Sequence, residues 1–178
     1  NSYKRVVTGA VRAVDFIASL PQWNGKTIGV TGSSQGGFLS LAVAALDKRI
    51  TFLAPVHDAM CDYEAEIHGV AGGWPHYFYK ENQAQGAAWK ERKLTELEKM
   101  RLEGARYYDG ANFARRITCP GWYSFGYNDE VVPPTSSYGL YNSVKAPKTL
   151  SLYQMTGHFW YQEQWDEWQA WIVQQLTK

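Results

Sequence analysis

The chain has 178 residues, 45% of them hydrophobic, and 18 Lys+Arg against 17 Asp+Glu give a formal net charge of +1. This balance suits one globular domain with a sizeable core, and it argues against the basic stripe of a nucleic-acid binder. No apolar run approaches the ~18 residues that span a membrane, and the stretch from Asn1 to Val7 has no apolar signal core. The two cysteines, Cys61 and Cys119, form neither a disulfide framework nor a metal-ligand spacing. No nucleic-acid, membrane or metal partner is therefore expected, and the compartment stays open between cytoplasm and export.

Val7, Val11, Val14 and Ala18 recur at helical spacing over residues 4–20, and Leu20-Pro21 ends the run. Gln22 to Lys26 reads as a turn. Thr27 to Thr31 is a short β-rich segment bounded by Gly25 and Gly32, predicted as a buried strand. Phe38 to Leu46 predicts an Ala-rich helix packed on most sides, and Ile50 to Pro55 a second buried strand. Residues 57–106 read as an insertion. Its first part is irregular, and its charged part, Trp89 to Arg106, suits a partly exposed helix. Asp109 and Asn112 are candidate caps of a short helix through Arg116. Cys119 to Gly126 and Leu150 to Tyr153 predict two further strands, with helices at 135–144 and 162–176. Such alternation implies an α/β fold over residues 1–178: a parallel sheet with helices on both faces.

The chemistry begins at Gly32-Ser33-Ser34-Gln35-Gly36. Three fixed positions are weak alone, but a strand enters this one and a small-residue helix leaves it, as a nucleophile elbow requires. Gly32 and Gly36 are expected to remove Cβ atoms from a crowded, strained turn around Ser34, and Gly37 extends the permissive stretch. The helix start aims its dipole at the reaction centre, and the backbone N–H of Gln35 is an expected oxyanion donor. An elbow serine needs a base, and the base an orienting carboxylate, in the chain order Ser, acid, His. Asp129 follows the third predicted strand and His158 the fourth, at the C-terminal strand ends where parallel sheets place their sites. Glu130 is the adjacent competitor, and loop position favours Asp129. Gly126 and Gly157 give the two loops room to turn. His57, His68 and His76 stand among Asp58, Asp62, Glu64 and Glu66, but no pair has a zinc spacing. Trp165, Trp168, Trp171 and Ile172 share one helical face suited to packing on the sheet. Trp160 and Tyr161, next to His158, are candidates for lining the substrate pocket or for packing.

Several segments together resemble the acetyl xylan esterase / cephalosporin-C deacetylase family, carbohydrate esterase family 7. They are Gly32 to Gly37, Cys61-Asp62, Tyr108 to Ala114, Ser124 to Asp129 with Pro133-Pro134, and Tyr141-Asn142. The resemblance covers nearly all of the chain and implies the C-terminal part of an α/β-hydrolase fold. It further implies that Ser34, Asp129 and His158 hydrolyse acetyl esters of small sugars and xylo-oligosaccharides without a cofactor. The partner is then a small acetylated carbohydrate, with a homo-oligomer or completion by an N-terminal part left open. Phe159 stands where the family usually carries Glu. The family's first strands, Arg-Gly-Gln motif and second oxyanion donor are expected upstream of Asn1. Without them the nucleophile strand lies at a sheet edge, and a lost oxyanion donor is worth ~3–4 kcal/mol of barrier. A prolyl-oligopeptidase-type peptidase shares the elbow and triad order, and a truncated, non-catalytic hydrolase-like module is the third reading.

Overall fold

The computed structural model describes residues 2–77 and 93–178. Its elements run α1 (Ser2–Ser19), β1 (Gly29–Ser33), α2 (Gln35–Leu46), β2 (Phe52–Val56), a 3-10 turn (Ala65–His68), α3 (Glu96–Arg106), α4 (Gly110–Ala114), β3 (Gly121–Gly126), α5 (Pro134–Ser143), β4 (Lys148–Tyr153) and α6 (Gln162–Leu176). The strands form one parallel sheet in the order β1-β2-β3-β4. Parallel neighbours need a crossover between them, and the helices supply it.

Alternate residues of the buried strands feed two separate apolar layers. Leu53 on β2 and Tyr123 on β3 join Val14 of α1, Leu41 of α2, Ala114 of α4 and Leu140 of α5. Their neighbours Ala54, Val56 and Trp122 face the other way, against Trp160 and the α6 side chains Trp168, Trp171 and Ile172. The two-residue period of a strand thus sorts helices onto both faces. On the α6 side, Trp171 meets Phe52 edge-on at 5.8 Å between ring centroids, and the Trp168 indole N–H donates to Thr31 Oγ1 at 3.0 Å. The tryptophan face of the last helix therefore packs on the sheet.

Three local readings change. The nucleophile strand is not the buried strand its apolar sequence suggested. Among the described residues β1 pairs only with β2, and it is half exposed, whereas β2 and β3 are buried throughout. Its position at the sheet edge is the reason. The charged helix begins at Glu96, and residues 89–92 lie outside the described residues. A capping box sets its start. Thr95 Oγ1 accepts from the Glu98 N–H, while the Glu98 carboxylate accepts from the Thr95 N–H at 2.8 Å. Asp109 does cap α4, accepting from the Ala111 N–H at 2.9 Å, but Asn112 lies inside that helix and donates to the Arg106 carbonyl at 2.8 Å.

Leu53 is completely buried between α2 and its neighbouring strands. Leu53→Ala leaves a cavity where β2 meets α2 and should cost about 2–5 kcal/mol, read as a lower denaturation midpoint at unchanged slope. A loss under ~1 kcal/mol would mean that this layer is not the core.

Candidate active site

Ser34 sits between β1 and α2 with φ 56° and ψ −119°, a left-handed conformation that serine adopts only when its surroundings hold it there. Three backbone bonds do so. The Ser34 N–H donates to the Val56 carbonyl at 2.9 Å, and the Ser34 carbonyl accepts from the Phe38 and Ala59 N–H groups, each at 3.1 Å. A Cβ on Gly32 would run into the backbone of Gly36, so the turn closes only over glycine there. Gly36 differs from expectation: nothing stands within 4 Å of a Cβ built on it. The tighter position is Gly37, whose added Cβ would meet the Val56 carbonyl and Asp58 Cα at 3.1 Å. Gln35 opens α2, where the first N–H groups have no intrahelical acceptor, and its side-chain amide donates to Tyr3 Oη at 3.0 Å.

The acid and base loops leave neighbouring strands at one level, since Ser33 pairs with Val56, Val56 with Ser124, and Ser124 with Ser151. They are stitched together by the Tyr127 N–H on the Tyr153 carbonyl at 3.1 Å and the Asn128 N–H on the Thr156 carbonyl at 2.9 Å. Gly126 is required at this seam because a Cβ would enter Thr156. A Cβ on Gly157 would press Phe159 at 3.3 Å and the Asn128 carbonyl at 3.4 Å. Buried Gln164 ties the start of α6 to β3, its amide donating to Ser124 Oγ at 2.8 Å.

These constraints bring Ser34, Asp129 and His158 together. His158 Nε2 lies 2.9 Å from Ser34 Oγ, and His158 Nδ1 lies 2.8 Å from Asp129 Oδ2. The other carboxylate oxygen of Asp129 accepts from the Val131 and Val132 N–H groups at 2.9 and 2.8 Å. Burial alone would push Asp129 up. The His158 and His57 side chains and the Val132 N–H outweigh it and hold the carboxyl below the usual range. Glu130, the adjacent carboxylate, is exposed. In this geometry the imidazole can take the serine proton while the aspartate fixes its tautomer.

Of the two aromatics beside His158, Trp160 packs edge-on against Trp165 and Trp168, with centroids at 5.0 and 5.7 Å. Tyr161 is half exposed and begins α6. Sequence reasoning did not single out the aromatics on the other side of the nucleophile. Tyr3, Met60, Tyr63, Tyr77 and Tyr108 line a cavity of about 500 Å³, joined to the elbow through the Tyr3–Gln35 bond. Tyr3 meets Tyr108, and Tyr63 meets Tyr77, at centroid distances of 6.1 and 5.4 Å.

It also missed His57. This residue was weighed only as one of several scattered histidines, and the crossover after β2 hid its neighbours. It is 1% exposed with φ 48°, and its Nδ1 lies 3.4 Å from Asp129 Oδ2. Among the described residues, the one group of donors with metal-compatible proximity is His57, Asp129 and His158, all within 4.8 Å. It coincides with the acid–base pair and does not draw on His68 or His76. His76 instead bridges Glu66 at 2.8 Å and the Val131 carbonyl at 3.0 Å.

Cys61-Asp62 and the Tyr108 to Ala114 segment meet at one carboxylate. Asp109 accepts from the Asp62 N–H at 2.9 Å while capping α4, and the Gly110 N–H donates to the Met60 carbonyl at 2.7 Å. Phe113 then packs edge-on against Phe38 of α2 at 5.7 Å. The segment is a strut behind the elbow.

An elbow serine after the first parallel strand, followed by an acid after the third and a histidine after the fourth, defines the α/β-hydrolase fold. Within that class the chain belongs to the acetyl xylan esterase family, whose model matches residues 1–175. It is 41% identical over 156 residues to acetyl esterase Axe7A of Xylanibacter ruminicola, covering 88% of this chain and 33% of that protein. Acetyl xylan esterase from Paenibacillus sp. R4 superimposes with a TM-score of 0.80 at 28% identity, over 96% of this chain and 52% of that one. Acetyl xylan esterase 1 from Thermoanaerobacterium sp. JW/SL YS485 shares the fold, with a TM-score of 0.79 at 24% identity, over 97% and 53% of the two chains. The chain thus spans about half the length of these solved structures and a third of the curated relative. No helix among the described residues is long and apolar enough to cross a membrane.

Asp58, next to His57 in the chain, is fully buried, and among the described residues neither of its carboxylate oxygens is hydrogen-bonded. Desolvation, reinforced by the charge of Asp129, pushes its pKa up to about 7. Because the folded value lies above the unfolded one, the native state holds the extra proton between about pH 4 and 7, and stability falls as pH rises through that window. Asp58→Asn should therefore raise Tm more at pH 8 than at pH 5. An equal shift at both pH values in paired thermal scans would contradict this assignment.

Proposed function

We propose that this chain carries the triad of a serine esterase that removes acetyl groups from acetylated xylo-oligosaccharides or related small acetyl esters. The observation that carries the reading is the continuous line from Ser34 Oγ to His158 Nε2 at 2.9 Å and from His158 Nδ1 to Asp129 at 2.8 Å. Ser34 attacks the acetyl carbonyl as His158 takes its proton, and the N–H of Gln35 donates to the developing oxyanion. Collapse passes the proton from His158 to the leaving sugar hydroxyl and leaves acetyl on Ser34. Water, deprotonated by the same imidazole, then releases acetate. Asp129 holds the imidazole tautomer throughout. The balance closes with serine, imidazole and water alone, so the chemistry calls for no cofactor.

Membership of the acetyl xylan esterase family supports the acetyl substrate, and Axe7A is itself named an acetyl esterase. The tyrosine-lined cavity, tied to the elbow by the Tyr3–Gln35 bond, supports a sugar ligand, since its volume is of ligand size and its rings offer stacking faces. Tyr161, close to His158 in the chain, is assigned to the substrate pocket, while Trp160 packs against Trp165 and Trp168.

Ser34→Ala in the natural full-length polypeptide should lower kcat on p-nitrophenyl acetate and on acetylated xylo-oligosaccharides by about 10⁴-fold or more, with Tm little changed. A fluorophosphonate probe should label the parent at Ser34 and leave the variant unlabelled. Cleavage of a proline amide without acetyl-ester hydrolysis would move the reading to a peptidase. An unlabelled parent would move it to a non-catalytic module.

A further inference from the structure

Asp129 is served by more than the triad histidine. His57 leaves the end of β2 in a left-handed conformation, pinned by its N–H on the Ser124 carbonyl at 2.9 Å. Its ring is wedged between two others, with centroids 5.4 Å from His158 and 6.5 Å from Trp160. Its Nδ1 approaches the same carboxylate oxygen that receives His158, at 3.4 Å against 2.8 Å. Among the described residues neither ring nitrogen of His57 completes a hydrogen bond of good geometry, and both are shut off from solvent.

Leaving such a ring buried is costly, since unpaired polar atoms lose their water without replacement. An apolar side chain of similar size would fill the space without that loss. Asp129 Oδ2 lies 3.4 Å from Nδ1, and two facing lone pairs would repel, so the proton belongs on Nδ1. We propose that His57 is a positioning residue of the triad, an Nδ1–H donor that shares Asp129 Oδ2 with His158. It acts through the carboxylate and has no contact with the ester.

Two consequences distinguish this role from packing. A second imidazole beside Oδ2 limits rotation of the carboxylate, so the His158 ring stays turned toward Ser34. It also helps keep charged an aspartate that is 3% exposed. The titratable groups around this pair are His158 from the loop after β4, Asp58 next to His57, and Tyr123 of β3, which faces Asp58.

The proposal rests on the esterase reading for its kinetic arm only. In the natural full-length polypeptide, His57→Leu should lower kcat on an acetyl ester about tenfold or more with KM within about twofold. It should also shift the low-field proton resonance of the His158–Asp129 bond. His57→Asn, which restores an N–H donor, should recover most of both. Equal kcat in the Leu and Asn variants, or an unmoved resonance in His57→Leu, would overturn the proposal. If His57→Leu does not fold, His57→Ala read at the same resonance decides the matter by the same criterion. A parent without hydrolytic activity would defeat the esterase reading alone, because the resonance is measured without substrate.

Discussion

A carboxylate almost out of reach of water stays charged only when donors replace its hydration, and the site depends on how Asp129 meets that demand. One oxygen receives two backbone N–H groups from its own loop, and the other faces two imidazoles. Each donor comes at a structural cost. The loop must double back through Val131 and Val132 before Pro133 and Pro134 start α5. The β4 loop must lie close enough that Gly126 has no room for a side chain. The residue after β2 must accept a positive φ. Much of the irregular geometry at the C-terminal sheet edge follows from keeping one buried charge.

The elbow answers a different requirement, exposing a hydroxyl at the top of a sheet while the chain reverses into a helix. Ser34 is held by the carbonyl of the neighbouring strand and by the N–H of Ala59, so its strained backbone is braced from β2 as well as from α2. Parallel register then does what no local sequence can. With Ser33, Val56, Ser124 and Ser151 level across the sheet, loops leaving β1, β3 and β4 emerge side by side. Residues far apart in the chain meet at hydrogen-bond distance because strand ends are aligned.

Alternation of strands and helices, the apolar runs and the elbow spacing made the fold and the order Ser34, Asp129, His158 legible from sequence. These signals are local or follow chain order. What escaped depends on contacts across the sheet. β1 carries the apolar residues of an interior strand, and its half exposure follows from the edge position that the family resemblance, not the composition, led one to expect. Gly36 looked like a steric requirement, whereas the crowding falls on Gly32 and Gly37. The Thr95 and Glu98 capping box was visible in the sequence and would have moved the helix start to its observed place. His57 carried no signal of its own, because a histidine in an irregular segment reads the same whether it faces solvent or a buried aspartate.

The sequence reads the segment after β2 as an insertion, but its first twenty or so residues are tied into the framework around Ser34 and Asp129. His57 faces Asp129, Ala59 braces Ser34, the Asp62 N–H is held by the carboxylate that caps α4, and His76 reaches the carbonyl of Val131. Four contacts thus run from one stretch of chain to the nucleophile, to its strut and to both sides of the acid loop. A stretch bound at so many points cannot move as an independent lid without disturbing Asp129. Variation is then more easily tolerated on the tyrosine-lined cavity wall than at His57, Ala59 or His76. The fold separates the two duties along a single crossover. Residues of one stretch point at the carboxylate, and others line the cavity.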